Sequence, residues 1–220
     1  MSEIGGIGLL MVVLCMPKAD HTTTQKKLVV QKARLPTPVY LLCLNLLFAM
    51  VLVYQNNVVV SSLVIQGGFG DASAAAGVMT MLMIGGIFAG LVFGFVYKKM
   101  HQYILPAAFF VAALGQLILV IAPSFLVLSI GSFISGFGMV ILLPSTMALI
   151  NKKSNPESIP LTSGVMMAAM NLGGFLVTPY IVILSKINVI TPSGIVLASA
   201  ILLVLLAIIV LILTLVYYKG

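Results

Sequence analysis

The chain has 220 residues, 61% of them hydrophobic and 7% charged, with a net charge of +7. A soluble domain carries about 25% charged residues. Together with a mean hydropathy of +1.25, this composition excludes a water-soluble globule.

Residues 4–16 form the first apolar piece. Thirteen residues are too few to cross a bilayer, which needs about 20 helical residues for about 30 Å of hydrocarbon. A secretory signal would open on positive charge, but the chain opens Met1-Ser2-Glu3 and has no Lys or Arg before Lys18. Residues 1–17 therefore read as the tail of a truncated transmembrane helix. Residues 18–37 read as a basic cytoplasmic loop, and 38–217 as a six-helix transmembrane bundle.

Six apolar runs are expected to span: 38–66, 72–97, 103–122, 125–150, 159–185 and 191–216. The uncharged block 102–151 is twice too long for one crossing, and Ala122-Pro123-Ser124 divides it into a helical hairpin. Lipid offers the backbone no hydrogen-bond partner, so each span must be helical unless a barrel closes. Barrel strands alternate in polarity over about 10 residues, and these runs do not alternate.

The basic residues give the orientation. The connections 18–37, 98–101 and 151–157 and the tail at 219 hold ten of the eleven Lys and Arg; 67–71, 123–124 and 186–190 hold only Lys186. Positive charge marks the cytoplasmic side, so the 18–37 loop and the C-terminus are expected inside, in the cell membrane. A Lys at mid-bilayer costs roughly 2.5–3.5 kcal/mol, which explains why an apolar run stops at Lys98-Lys99. The run Lys26-Lys27 to Lys32-Ala33-Arg34 has no interleaved aromatics. It reads as a juxtamembrane anchor on anionic lipid, with no nucleic-acid partner. Cys15 and Cys43 read as small packing residues.

Gly68-Phe69-Gly70-Asp71 matches the GxGD signature of intramembrane aspartyl proteases. That chemistry needs two carboxylates sharing a proton. The four acids are Glu3, Asp20, Asp71 and Glu157, and Asp20 and Asp71 fall on opposite sides of the membrane. The stretch reads instead as a turn with a helix-capping acid. There is no HExxH, and His21 and His101 lie in loops without carboxylate partners. An intramembrane enzyme is therefore disfavoured, and neither a metal nor a cofactor is expected.

Several spans carry helix-packing and helix-bending residues. Gly86, Gly90 and Gly94 make a doubled GxxxG, which lets a neighbouring backbone come close. Pro144 and Pro179 lie within spans, where proline bends a helix and frees a carbonyl. Such features suit a rocking protein and also occur in static bundles.

Uncharged polarity supplies the substrate-path candidates. On one uninterrupted helix Asn45, Gln55, Asn56, Ser62 and Gln66 fall within about a 120° arc. Polar groups near mid-membrane must face other helices or water. Interhelical hydrogen bonding, about 0.6 kcal/mol per contact, balances evenly against a cavity wall for Gln55 and Asn56. It is favoured for Asn57, which points elsewhere. Asn171, beside Gly173-Gly174, is a second candidate; Thr80, Ser132 and Ser135 are weaker. The methionines Met79, Met81, Met83, Met166, Met167 and Met170 read as packing.

The chain resembles the carboxyl-terminal half of a major facilitator superfamily transporter. Gly94-Phe95-Val96-Tyr97-Lys98-Lys99-Met100-His101-Gln102-Tyr103 is similar to the family's loop motif G-x-L-a-D-R-x-G-R-K, with Lys98 in place of Asp and His101 in place of Gly. Gly136-Phe137-Gly138 followed by Pro144 resembles its G-x-G…P pattern, with Ser132 where an Arg can stand. Asn171-Leu172-Gly173-Gly174 to Pro179 resembles a glycine-rich fifth helix. The resemblance implies two inverted three-helix repeats, a small solute bound between halves, and alternating access. It implies a partner too, either an N-terminal six-helix half or a second copy. The rival expectation is a six-helix scaffold that does not transport.

Overall fold

The computed structural model describes residues 37–153 and 158–217. The expected helix tail at 1–17 and the basic loop up to residue 36 lie outside the described residues.

The described residues form helices joined by short turns. Helix α1 spans Thr37–Tyr54, α2 Asn56–Gln66 and α3 Ala72–Met100. A 3-10 turn at His101–Tyr103 leads into α4, Ile104–Ile121. Helix α5 spans Phe125–Lys153, α6 Ile159–Phe175, α7 Val177–Lys186 and α8 Pro192–Tyr217.

Four helical runs are long and apolar enough to cross a membrane: Val39–Gln66, Ala72–Ile121, Phe125–Lys152 and Pro192–Leu215. The pair α6 and α7, bent by 42°, makes a fifth if counted as one span. The sequence reading divides Ala72–Ile121 in two. In the structure it is one helical run of 50 residues, broken only at the 3-10 turn. Its two arms do not extend as one rod: Gly136 of α5 abuts Leu82 in the first arm and Gly138 abuts Ala112 in the second, so the run folds back at the turn.

Local chemistry sets the helix ends. Gly68 (φ 69°) and Gly70 (φ 142°) adopt backbone conformations that L side chains rarely reach. They turn the chain into Asp71, the N-cap of α3. Asp71 Oδ1 accepts from the Ser73 N–H (3.0 Å), the Ala74 N–H (3.2 Å) and the Ser73 hydroxyl (2.7 Å). The Ser73 hydroxyl bond, with the Ala74 and Ser73 amides behind it, holds this carboxyl below its ordinary value. GFGD is thus a capped turn, as its spacing suggests. At the far end of α3, His101 has φ 47° and its N–H reaches the Tyr97 carbonyl. The Tyr97 and His101 rings stack with centroids 6.4 Å apart, and Lys152 Nζ lies 5.8 Å from the Tyr97 ring. These contacts join the ends of α3 and α5.

Helix α5 packs against both α3 and α4, α4 packs against α8, and α1 packs against α6. Two close approaches are backbone on backbone. A Cβ at Gly136 would strike the Leu82 carbonyl of α3, and one at Gly138 would strike the Ala112 amide of α4. Glycine is required at both for the helices to approach this far. Of the expected GxxxG face, Gly86 meets Val140, whereas Gly90 and Gly94 have nothing within 4 Å. Gly85, one residue away, is the glycine whose Cβ would strike the Phe133 backbone. Pro144 sits inside α5 without ending it.

The buried apolar residues form two clusters. One contains Leu46, Met50, Phe109, Leu142 and Leu203. The other contains Val60, Val78, Leu128, Leu184 and Val196. Between them in the sequence of α1–α2, α4 and α5 fall Gln55, Asn56, Gln116, Ser132 and Ser135, all fully buried. Large apolar side chains such as Leu91 and Phe95 point outward, where lipid is the natural solvent.

Candidate functional site: a cleft at two helix interruptions

Two spans carry a local break in the helical hydrogen-bond ladder: α6–α7, bent by 42°, and α1–α2, which still runs as one 28-residue span. Between α1 and α2 the break is Gln55, whose backbone stays helical (φ −57°, ψ −27°). Between α6 and α7 it is Leu176 (φ −75°, ψ −4°). Proline explains the second: Pro179 has no N–H and its ring crowds the carbonyl four residues back, so a continuous helix through 175–179 is disfavoured. In the structure Pro179 occupies the first turn of α7, where its missing donor is harmless.

Just before both breaks the helices touch. A Cβ at Gly173 would lie 2.7 Å from Met50 Cβ and 2.9 Å from the Leu47 carbonyl. Beyond that contact a cavity of about 250 Å³ is lined by Tyr54, Asn57, Val58, Gly174, Val177 and Thr178. Asn57 and Thr178 are exposed to it, and the Tyr54 ring lies against Gly174.

Depth follows from helix rise. Asn57 lies nine residues before the end of α2 and Thr178 eight before the end of α7, about 13 Å and 12 Å along their helices. That is near the middle of a hydrocarbon layer about 30 Å thick. The lining at this level carries no charged side chain; its polar members are Asn57, Thr178 and the Tyr54 hydroxyl.

The sequence candidates take different places. Gln55 and Asn56 turn inward and are fully buried. Gln55 Nε2 donates to Asn56 Oδ1 at 2.8 Å, and Asn56 Nδ2 donates to Ser135 Oγ at 3.1 Å. Asn57 is the amide that reaches the cleft. Asn45 is half-buried on α1. Thr80 is exposed and donates to the Ala76 carbonyl of its own helix at 2.9 Å. Asn171 is exposed and donates to the Met167 carbonyl of its own helix at 2.8 Å, with no interhelical bond among the described residues. Gly94, Lys98 and Lys99 lie on the exposed last turns of α3, and Pro144 is half-buried in α5.

Gln116, Tyr54 and Thr178 are additions from the structure. Gln116 is fully buried on α4, and its Nε2 donates to the Leu52 carbonyl at 2.8 Å. Leu52 lies four residues before Asn56, so the carbonyl facing the α1–α2 break finds its donor on another helix. Gln55 Oε1, Gln116 Oε1 and Ser132 Oγ are buried without a hydrogen-bond partner among the described residues. The polar layer is therefore incompletely paired in this conformation. No group of three His, Cys, Asp or Glu capable of holding a metal occurs among the described residues.

The long apolar helices mark a multi-pass membrane protein, and an open groove between two of its spans is lined by uncharged residues. The chain belongs to the Major Facilitator Superfamily: that family's model matches residues 41–219, and the family carries out membrane transport. No curated protein and no solved structure matches the chain.

Proposed function

We propose that the chain moves a small solute across the cell membrane by alternating access, as the carboxyl-terminal half of its transporter. In this reading the run Ala72–Ile121 crosses twice, turning at His101, so that six spans form two inverted three-helix repeats. The basic connections, including 18–37, and the C-terminus face the cytoplasm. An N-terminal six-helix half, or a second copy, supplies the opposite wall.

The observation that carries this reading is the cleft itself. Two interrupted helices meet tightly at Gly173 and diverge beyond it. A helix bends at an interruption more readily than along an intact hydrogen-bond ladder, so the cleft lies where relative motion is easiest.

Accessibility tests this without knowing the solute. In a background with Cys15→Ser and Cys43→Ala, Asn57→Cys should react with a membrane-impermeant maleimide from either face of oriented vesicles. Asp71→Cys should react only from outside and Lys99→Cys only from inside. Labelling of Asn57→Cys from one face alone would overturn alternating access. Reversed labelling of Lys99→Cys would overturn the topology.

A further inference from the structure

The cleft sets requirements on its occupant. Asn57 offers an amide with two donors and one acceptor, and Thr178 a hydroxyl that both donates and accepts. Each is exposed to the cleft and commits its side chain to no hydrogen bond among the described residues. Around them stand Val58, Val177 and the ring of Tyr54. The charged side chains described, Asp71, Lys98, Lys99, Lys152 and Lys186, stand at or beyond helix ends, roughly 12 Å or more away along the helices.

An ion entering such a place would lose hydration and find no counter-charge on the described lining, an unfavourable exchange. A wholly apolar solute would strip water from Asn57 and Thr178 and leave them unpaired. The solute that satisfies both constraints is uncharged and carries one group that donates and accepts together, such as a carboxamide or hydroxyl, on a compact apolar body. A ring suits that body, because the Tyr54 side chain, packed on Gly174, forms an aromatic part of the cleft lining. A cavity of about 250 Å³ sets its size, on the order of a dozen non-hydrogen atoms by comparison with pockets for drug-sized ligands.

We propose that this cleft selects a nonionic, ring-bearing solute with a carboxamide- or hydroxyl-type head held by Asn57 and Thr178. The inference rests on the reading of the cleft as the solute site.

Three matched probes test it: benzamide, benzoate and benzylammonium, which share one ring and differ in head-group charge. Binding to the full chain in lipid nanodiscs is measured by saturation-transfer NMR against empty nanodiscs. Benzamide is expected to bind at least tenfold more tightly than either ion. The pair Asn57→Ala with Thr178→Val should weaken it at least tenfold. Asn57→Asp, near-isosteric and now anionic, should reverse the preference toward benzylammonium, a gain that a misfolded variant cannot produce.

If an ion binds wild-type protein as tightly as benzamide and Asn57→Ala weakens that binding, the nonionic class is wrong and the cleft stands as the site. If binding of all three probes ignores Asn57 and Thr178, or none exceeds empty nanodiscs, the site reading itself falls.

Discussion

Gly174 lies under the ring of Tyr54: a Cβ there would come within 3.2 Å of Cδ2 and 3.4 Å of Cε2. The neighbouring Gly173 faces a harder wall, Met50 Cβ at 2.7 Å and the Leu47 carbonyl at 2.9 Å. An aromatic ring can swing aside, whereas a helix backbone cannot. Gly173→Ala should destabilise the fold by about 1–3 kcal/mol, the range for overpacking. Gly174→Ala should cost less than about 1 kcal/mol. Thermal unfolding read by a thiol-reactive dye on Cys43, which is buried in the fold, separates the two in a Cys15→Ser background.

Gln116 and Asn171 are both mid-helix amides with opposite assignments. Gln116→Leu removes the donor to the Leu52 carbonyl beside the α1–α2 break and should destabilise by about 1–2 kcal/mol, the penalty of an unsatisfied buried acceptor. Asn171→Leu gives up only a bond to its own helix at an exposed position, and should stay within about 0.5 kcal/mol. The same dye assay reads both, and equal shifts would contradict the assignment.

His101 holds a φ of 47°, where the loop motif that the segment resembles has glycine. With ψ at −111° the residue lies outside the left-handed helical well, and such a backbone costs an L residue on the order of 1–3 kcal/mol. The exposed stack on Tyr97 returns about 0.5 kcal/mol of that. His101→Gly should therefore raise stability by about 0.5–2.5 kcal/mol by differential scanning. Asn188, at φ 63°, should gain less from the same change, because Asn tolerates positive φ.

Asp71 ties α3 to its turn through bonds that favour the carboxylate. A carboxyl held below its ordinary value of 3.8 stabilises the fold fully above that pH, and the contribution is lost as pH falls through the folded value. The melting temperature of Asp71→Ala should lie below wild type at neutral pH and converge on it below 3.8. A gap that persists undiminished at pH 3 would assign the stabilisation to something other than charge.

The apolar runs and the capping role of Asp71 were legible because each is local: a charge ends a span, and a turn followed by an acid starts a helix. Partners were not. The arc does set Gln55 and Asn56 apart from Asn57, as in the structure, but it could not show that the inward pair bonds to Asn56 and Ser135 while Asn57 opens onto the cleft. Gln116 stands as one amide within Ala112-Ala113-Leu114-Gly115-Gln116-Leu117-Ile118; its role depends on a carbonyl 64 residues away. The GxxxG spacing located a glycine-rich helix and one contact, Gly86 on Val140, but not the closer one at Gly85, while Gly90 and Gly94 meet nothing. Spacing defines a face, and only the neighbouring helix decides which face is used.

Gly136 and Gly138 press the backbone of α5 onto α3 and α4 with no side chain between. Side chains act as shock absorbers when helices change angle, since their rotamers repack, and main-chain contacts lack that give. Helices α3, α4 and α5 therefore form a stiff chassis, against which the jointed rods α1–α2 and α6–α7 are the parts free to flex.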